Sequence, residues 1–130
     1  GPLLTARAAL PLLDGPVARM VFLSSEAGWA DTPAMGAYNV SKAGLNALAY
    51  SLAAEIAATR PDQNVQINGI IPGEARSEMN QGSSTSPYSL APIGLALLSH
   101  PPVGPNGCFF HRDGRHFAFA YAEPHPLPIL

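Results

Sequence analysis

Tyr38 and Lys42 stand four residues apart in a 130-residue chain that has four tyrosines and no other lysine. With that composition, chance places the lysine at this offset only about three times in a hundred. On a helix the spacing puts both side chains on one face, a single turn from each other. A phenol whose ordinary pKa is about 10 exchanges protons poorly at neutral pH, but a neighbouring ammonium favours the phenolate and lowers that pKa. Ser25 follows a short apolar run, residues 20–23, and its hydroxyl can hydrogen-bond a carbonyl or alkoxide oxygen and hold it beside the phenol. The chemistry these three residues suit is proton transfer at a carbon–oxygen bond. The plainer reading makes Tyr38 a core ring and Lys42 a solvated charge. A cation near a helix start opposes the macrodipole, however, so helix stability does not explain Lys42.

The elements needed to position these groups are legible in the pattern of apolar residues. Leu3, Leu4, Ala6, Ala9, Leu10 and Leu13 recur at helical steps and predict a helix over 3–13, which Pro11 should kink or stop. Residues 20–23 (MVFL), ending at Ser24 and Ser25, read as a strand buried on both faces. Residues 26–36 read as a loop and 37–58 as a long helix with Leu45, Leu48, Leu52 and Ile56 on one stripe, stopped by Arg60, Pro61 and Asp62. A second buried strand over 65–71 closes at Pro72 and Gly73. Residues 74–88, rich in Ser and Gly, predict a mobile excursion. A third helix over 89–99, a strand near 107–110 and a turn at Asp113 and Gly114 complete the order. Alternating helices and apolar strands indicate an α/β fold built on a parallel sheet. In such folds ligands bind at the carboxyl ends of the strands, where Ser25 stands.

Composition narrows the class further. With 47% hydrophobic and 12% charged residues the chain can form a packed core, and a net charge of −2 gives no basic field for nucleic acid or anionic lipid. The expectation is no nucleic-acid partner and no membrane partner. Cys108 is the single cysteine, so neither an internal disulfide framework nor a multi-cysteine zinc site is expected, and a cytoplasmic location is. His100, His111, His116 and His125 form no His-x-x-x-His pattern, and no metal is expected. Arg112 and Arg115, around Asp113 and Gly114, read as decoration of a surface turn. Asn39-Val40-Ser41 is a formal glycosylation sequon inside the expected helix, which makes it a coincidence. Phe117, Phe119 and Tyr121 alternate as in an edge strand or a lid, and residues 124–130 read as an extended proline-rich tail.

Three ordered blocks carry a family resemblance. Residues 20–28 (MVFLSSEAG), 38–45 (YNVSKAGL) and 66–79 (QINGIIPGEARSEM) resemble the C-terminal half of the short-chain dehydrogenase/reductases. Residues 91–98 (APIGLALL) and 104–115 (GPNGCFFHRDGR) are similar to the carbonyl-reductase-like branch, a less specific match. The resemblance spans about residues 1–116. It implies the C-terminal part of a Rossmann-type doubly wound sheet and NAD(P)-dependent interconversion of a carbonyl and an alcohol by hydride transfer. Tyr38 takes the place of the family's acid/base and Lys42 that of the lysine that also holds the nicotinamide ribose. The family serine stands thirteen positions before the tyrosine, which selects Ser25 over Ser24. Pro72 and Gly73 match the turn beside the nicotinamide. Ala75 and Ser77 match positions that contact its carboxamide, Ser77 replacing the usual Thr and Ala75 a usual Val or Ile.

The family's glycine-rich phosphate turn, its Asn-Asn-Ala-Gly segment and its catalytic Asn have no counterpart in these 130 residues. The expectation is therefore about half a dehydrogenase, carrying the hydride-transfer and substrate half of the site. Residues 1–116 would form a partial NAD(P)-binding domain and 117–130 a C-terminal tail. NADP or NAD is the expected cofactor and a small carbonyl or alcohol the expected substrate. The alternative reading is a catalytically incomplete dehydrogenase acting as a non-enzymatic interaction module, forming a homo-oligomer through helices 3–13 and 37–58. A hydrolase using Ser25 ranks last because no His stands in a partner motif.

Overall fold

The computed structural model describes residues 1–29, 33–78 and 80–119. Along the chain run α1 (Pro2–Ala9), β1 (Val17–Leu23), α2 (Gly36–Thr59), β2 (Asn64–Ile71), α3 (Ala91–Leu98), β3 (Phe109–His111) and β4 (His116–Phe117). The strands form one sheet in the order β1-β2-β3-β4, with β1, β2 and β3 parallel and β4 antiparallel to β3. The predicted α/β class and parallel sheet are thus present.

Alternation along the strands explains why the apolar runs are continuous. The register pairs Ala18 with Val65 and Met20 with Ile67, so these residues share one face with Phe22 and Ile71. That face packs against Ala6 of α1 and against Leu45, Ala49, Ala53 and Ile56 of α2, a stripe in which alanines let the helix lie close to the sheet. On the opposite face α3 rests near Ile70, with an added Cβ on Gly94 standing 3.6 Å from Ile70 Cδ1. With helices on both sides, every residue of β2 from Val65 onward is buried.

Several boundaries depart from those expected. The first helix stops at Ala9 and continues as a 3-10 turn over Leu10–Leu12, because Pro11 has no N–H to extend an α-helix. β1 starts at Val17, ahead of the apolar run, since the polar Arg19 is paired into the ladder opposite Gln66. The expected loop after Ser25 contains a 3-10 turn at Glu26–Trp29, and another at Pro87–Leu90 precedes α3. Within 74–88, read as a mobile excursion, Arg76 N–H donates to Thr85 O at 2.8 Å and Ser77 N–H to Asn80 O at 3.2 Å. β3 begins at Phe109 because Gly107, at φ +70°, lies outside the extended region.

Phe117 and Phe119, expected in the tail, are packed into the molecule. Trp29 meets Phe117 at 5.3 Å and Phe119 at 6.3 Å between ring centroids, and Phe109 meets Phe119 at 5.7 Å. Phe117 belongs to β4, which makes it part of an edge strand. Tyr121, His125 and the expected extended tail at 124–130 lie outside the described residues, as do 30–32 of the expected loop and Met79. Among the described residues no helix is long and apolar enough to cross a membrane.

Candidate active site

β1 and β2 end side by side, and the residues that follow them carry the candidate chemistry. Ser25 lies two residues beyond Leu23, the end of β1, and Pro72 immediately follows Ile71, the end of β2. α2 begins at Gly36, so Tyr38 and Lys42 occupy its first two turns. The helix head is tied to the strand end directly: Lys42 Nζ donates to Leu23 O at 3.0 Å. Nζ also stands 5.6 Å from the Tyr38 ring centroid. This places the ammonium beside the phenol and two residues from Ser25 along the chain. Tyr38 is 45% exposed, which leaves its ring accessible to a ligand.

Ser25 is prepared to donate. Its Oγ accepts the Ala27 N–H at 3.2 Å, which leaves the hydroxyl proton for an external oxygen. The neighbouring Ser24 has a different task. It is buried, its N–H donates to Ile70 O at 2.8 Å, and its hydroxyl donates to Asn46 Oδ1 of α2. Asn46 is completely buried and lies one turn beyond Lys42 on the same helix. Gly28 covers it so closely that a Cβ there would stand 2.2 Å from Asn46 Nδ2 and 3.1 Å from Lys42 O. Only glycine admits this approach. Ser24, Gly28 and Asn46 therefore dock the loop after β1 onto α2 and set the relation of Ser25 to Tyr38 and Lys42.

Gly73 follows the end of β2, beside the end of β1. Its φ of +62° is a left-handed conformation, and a Cβ would lie 2.8 Å from His111 Nε2. Arg112 Nη1 donates to Pro72 O at 3.0 Å and also to Glu74 O. His111 is buried, with Nδ1 2.8 Å from Asp113 Oδ1 and Nε2 4.0 Å from Glu26 Oε1. At 2.8 Å the carboxylate needs the proton on Nδ1, so that contact outranks the 3.4 Å approaches of Asp113 N and Arg115 Nη2 to the same nitrogen. Asp113 itself is lowered from 3.8 to about 2, chiefly by the Arg115 backbone N–H it accepts, with His111 and the Arg115 guanidinium adding to the effect.

The structure thus joins Lys42 to Tyr38 and to the chain just before Ser25, and sets Pro72 and Gly73 at the end of the adjacent strand. It does not join Ser77 to them. Ser77 Oγ accepts the Asn80 N–H at 3.1 Å within its own turn, and no contact among the described residues links it to Tyr38, Lys42 or Ser25. The Ala75 N–H has no acceptor among the described residues. Sequence reasoning missed Asn46 and gave Arg112 only a surface role. Asn46 had left a signal, a polar residue continuing the Tyr38, Lys42 spacing into an apolar stripe.

A left-handed glycine with a proline before it, an ammonium with donors to spare and a backbone amide without an internal acceptor fit the nicotinamide end of a dinucleotide. Comparison with known proteins gives the family. The family model described as short chain dehydrogenase matches residues 1–87. The chain is 37% identical over 82 residues to 11-beta-hydroxysteroid dehydrogenase 1A of Arabidopsis thaliana, covering 63% of this chain and 22% of that protein. It is 41% identical over 86 residues to (-)-isopiperitenone reductase of Mentha piperita, covering 62% and 24% respectively. Among solved structures, a Shigella flexneri protein described as a short chain dehydrogenase, complexed with NADP, superposes with a TM-score of 0.73 at 25% identity, covering 86% of this chain and 48% of that one. The chain therefore spans about a quarter of the curated relatives it matches and about half of that structure. The sheet is of the Rossmann type, and the chain belongs to the short-chain dehydrogenase family.

Proposed function

We propose that the chain supplies the proton-transfer and substrate half of an NAD(P)-dependent oxidoreductase that interconverts a small-molecule carbonyl and an alcohol. The observation that carries this reading is the contact of Lys42 with both the β1 end and the Tyr38 ring, at 3.0 Å and 5.6 Å. The relatives are oxidoreductases by name, and one neighbouring structure holds NADP, which supports the same cofactor class here. They lend no support to the interaction-module reading.

A bound nicotinamide would supply or take up the hydride. The rest of the chemistry belongs to this chain's own residues. During reduction Tyr38 Oη gives a proton to the carbonyl oxygen as negative charge develops there, and during oxidation it removes the hydroxyl proton. Ser25 donates its hydroxyl hydrogen bond to that oxygen and fixes its position. Lys42 places a positive charge beside the phenol and has N–H donors left over for ribose hydroxyls. Pro72, Gly73 and the Ala75 N–H would hold the nicotinamide end of the cofactor, and the Ser77 hydroxyl, which accepts the Asn80 N–H within its own turn, would join them only by leaving that turn. In this proposal residues 1–116 are the partial cofactor-binding domain.

Tyr38→Phe in the natural full-length protein tests the assignment. Turnover should fall by about 10²–10⁴-fold, the worth of a positioned acid/base, while affinity for NADPH or NADH changes little. Undiminished turnover would sink it.

A further inference from the structure

We propose that Arg112 is a positioning residue that locks the Pro72-Gly73-Glu74 turn so that its backbone amides face a nicotinamide carboxamide, an inference that rests on the function proposed above. Three successive contacts come from this one residue. Its backbone N–H donates to Ile71 O at 3.0 Å, its Nη1 donates to Pro72 O at 3.0 Å, and the same nitrogen donates to Glu74 O. Carbonyls before and after Gly73 are thus held from one side, and the guanidinium carbon lies 3.5 Å from where a Gly73 Cβ would be. Charge-assisted bonds of this kind are about twice as strong as neutral ones.

Planarity of the peptide gives the grip its consequence. In a trans peptide the C=O of one residue and the N–H of the next point in opposite directions. Drawing Pro72 O and Glu74 O toward Arg112 therefore turns the N–H groups of Gly73 and Ala75 away from it. Ala75 N–H is the group assigned above to the carboxamide. His111 fills the space behind Gly73, with its Nε2 2.8 Å from an added Cβ, so the turn has little freedom to move back. The glycine gives the turn its shape, and Arg112, reaching across from the loop after β3, selects which way its amides face.

Arg112→Gln and Arg112→Lys in the natural full-length protein test the proposal, with two readouts. In the cofactor-free protein, exchange of the bonded amides of Arg76 and Ser77 should speed up about tenfold in the Gln variant while exchange in β2 is unchanged, as expected for loss of a charged hydrogen bond. The dissociation constant for NADPH should rise about tenfold, with turnover at saturating cofactor falling less than about threefold. The Lys variant, still able to donate to both carbonyls, should recover most of each effect and provides the same readouts if the Gln variant does not fold. Unchanged exchange would overturn the proposal, and so would faster exchange with unchanged NADPH affinity. If the parent protein binds neither NADPH nor NADH while Arg112→Gln still loosens 73–78, the functional reading fails and the grip on the turn is supported.

Discussion

At one end of the sheet, the polar side chains spend their donors on the protein; at the other, donors are left to spare. Arg19 of β1 spends its guanidinium on the carbonyls of Ala18, Asn64, His100 and Pro101. Gln66 Nε2 donates to Pro101 O and Pro102 O, each at 3.0 Å, and Asn64 Nδ2 to Pro102 O. Asn68 closes the set by donating to Pro105 O and accepting from Cys108 N–H. These bonds attach the proline-rich connection between α3 and β3 to Arg19 of β1 and to residues 64–68 of β2. At the carboxyl ends Ser25 keeps a proton to donate, Lys42 has one bond to the protein, and the Tyr38 ring is half exposed. Both ends are rich in polar residues. What separates a scaffold from a site is whether those residues have donors left for something outside the chain.

That contrast can be broken by exchanging apolar residues into each end. The larger effect on chemistry belongs to Lys42→Met, which removes the charge beside Tyr38 and should cut turnover by about 10²–10³-fold, within the range of one acid/base component, with little change in urea midpoint. Arg19→Met should do the reverse. It strips a charged donor from partly buried carbonyls and should destabilise the fold by about 2–3 kcal/mol, leaving turnover of the remaining folded protein within about twofold. Urea titration beside steady-state assays on both variants decides the matter. If Arg19→Met lost turnover as steeply as Lys42→Met, the division between the two ends would be wrong.

Asn46 lies on the border between these behaviours, being buried yet docked against the candidate site. Asn46→Ala leaves the buried Ser24 hydroxyl without its acceptor, a loss of about 1–3 kcal/mol. It also loosens the loop that presents Ser25, so turnover should fall about tenfold at a folded fraction near unity, consistent with small misplacements costing rate. A stability loss with unchanged turnover would make Asn46 a core residue only.

Much of this is legible in the sequence alone. Tyr38 and Lys42 announced themselves through helical spacing and the rarity of lysine, and the strands through short apolar runs ended by Ser25 and by Pro72-Gly73. Legibility stopped where function depends on contacts distant in sequence. Arg19 falls outside the apolar run 20–23 that marks the first strand, and its place in β1 depends on partners, His100 and Pro101, that are 81 and 82 residues away. Arg112 looked like surface decoration because its partner carbonyls belong to a turn 40 and 38 residues earlier. The alternation of Phe117 and Phe119 suggested an edge strand or a lid but not their packing, because Trp29, against which they pack, sits across the molecule in a 3-10 turn that apolar periodicity does not reveal. Local periodicity encodes elements, whereas side-chain bonds to remote backbone carbonyls leave no periodic trace.

The smallest expected effect concerns the turn behind Gly73. Asp113 titrates at about 2 in the folded protein against 3.8 ordinarily, so the unfolded chain binds the extra proton first as acid is added. The stabilisation is complete above about pH 4 and disappears as pH falls through about 2. Asp113→Asn removes this dependence, so the gap in urea midpoint between parent and variant should narrow steadily from pH 4 to pH 2. Because the Asp113 side chain is 47% exposed, salt should weaken its Coulombic attraction to Arg115. The backbone N–H of Arg115 is the leading cause of the shift and is a short-range bond, so most of the narrowing should survive in 0.5 M salt, where the Debye length is under about 5 Å. A gap that stayed constant across this range would mean that Asp113 is not held by its turn, and that Arg112 stands on a looser loop than the bonds to Pro72 and Glu74 imply.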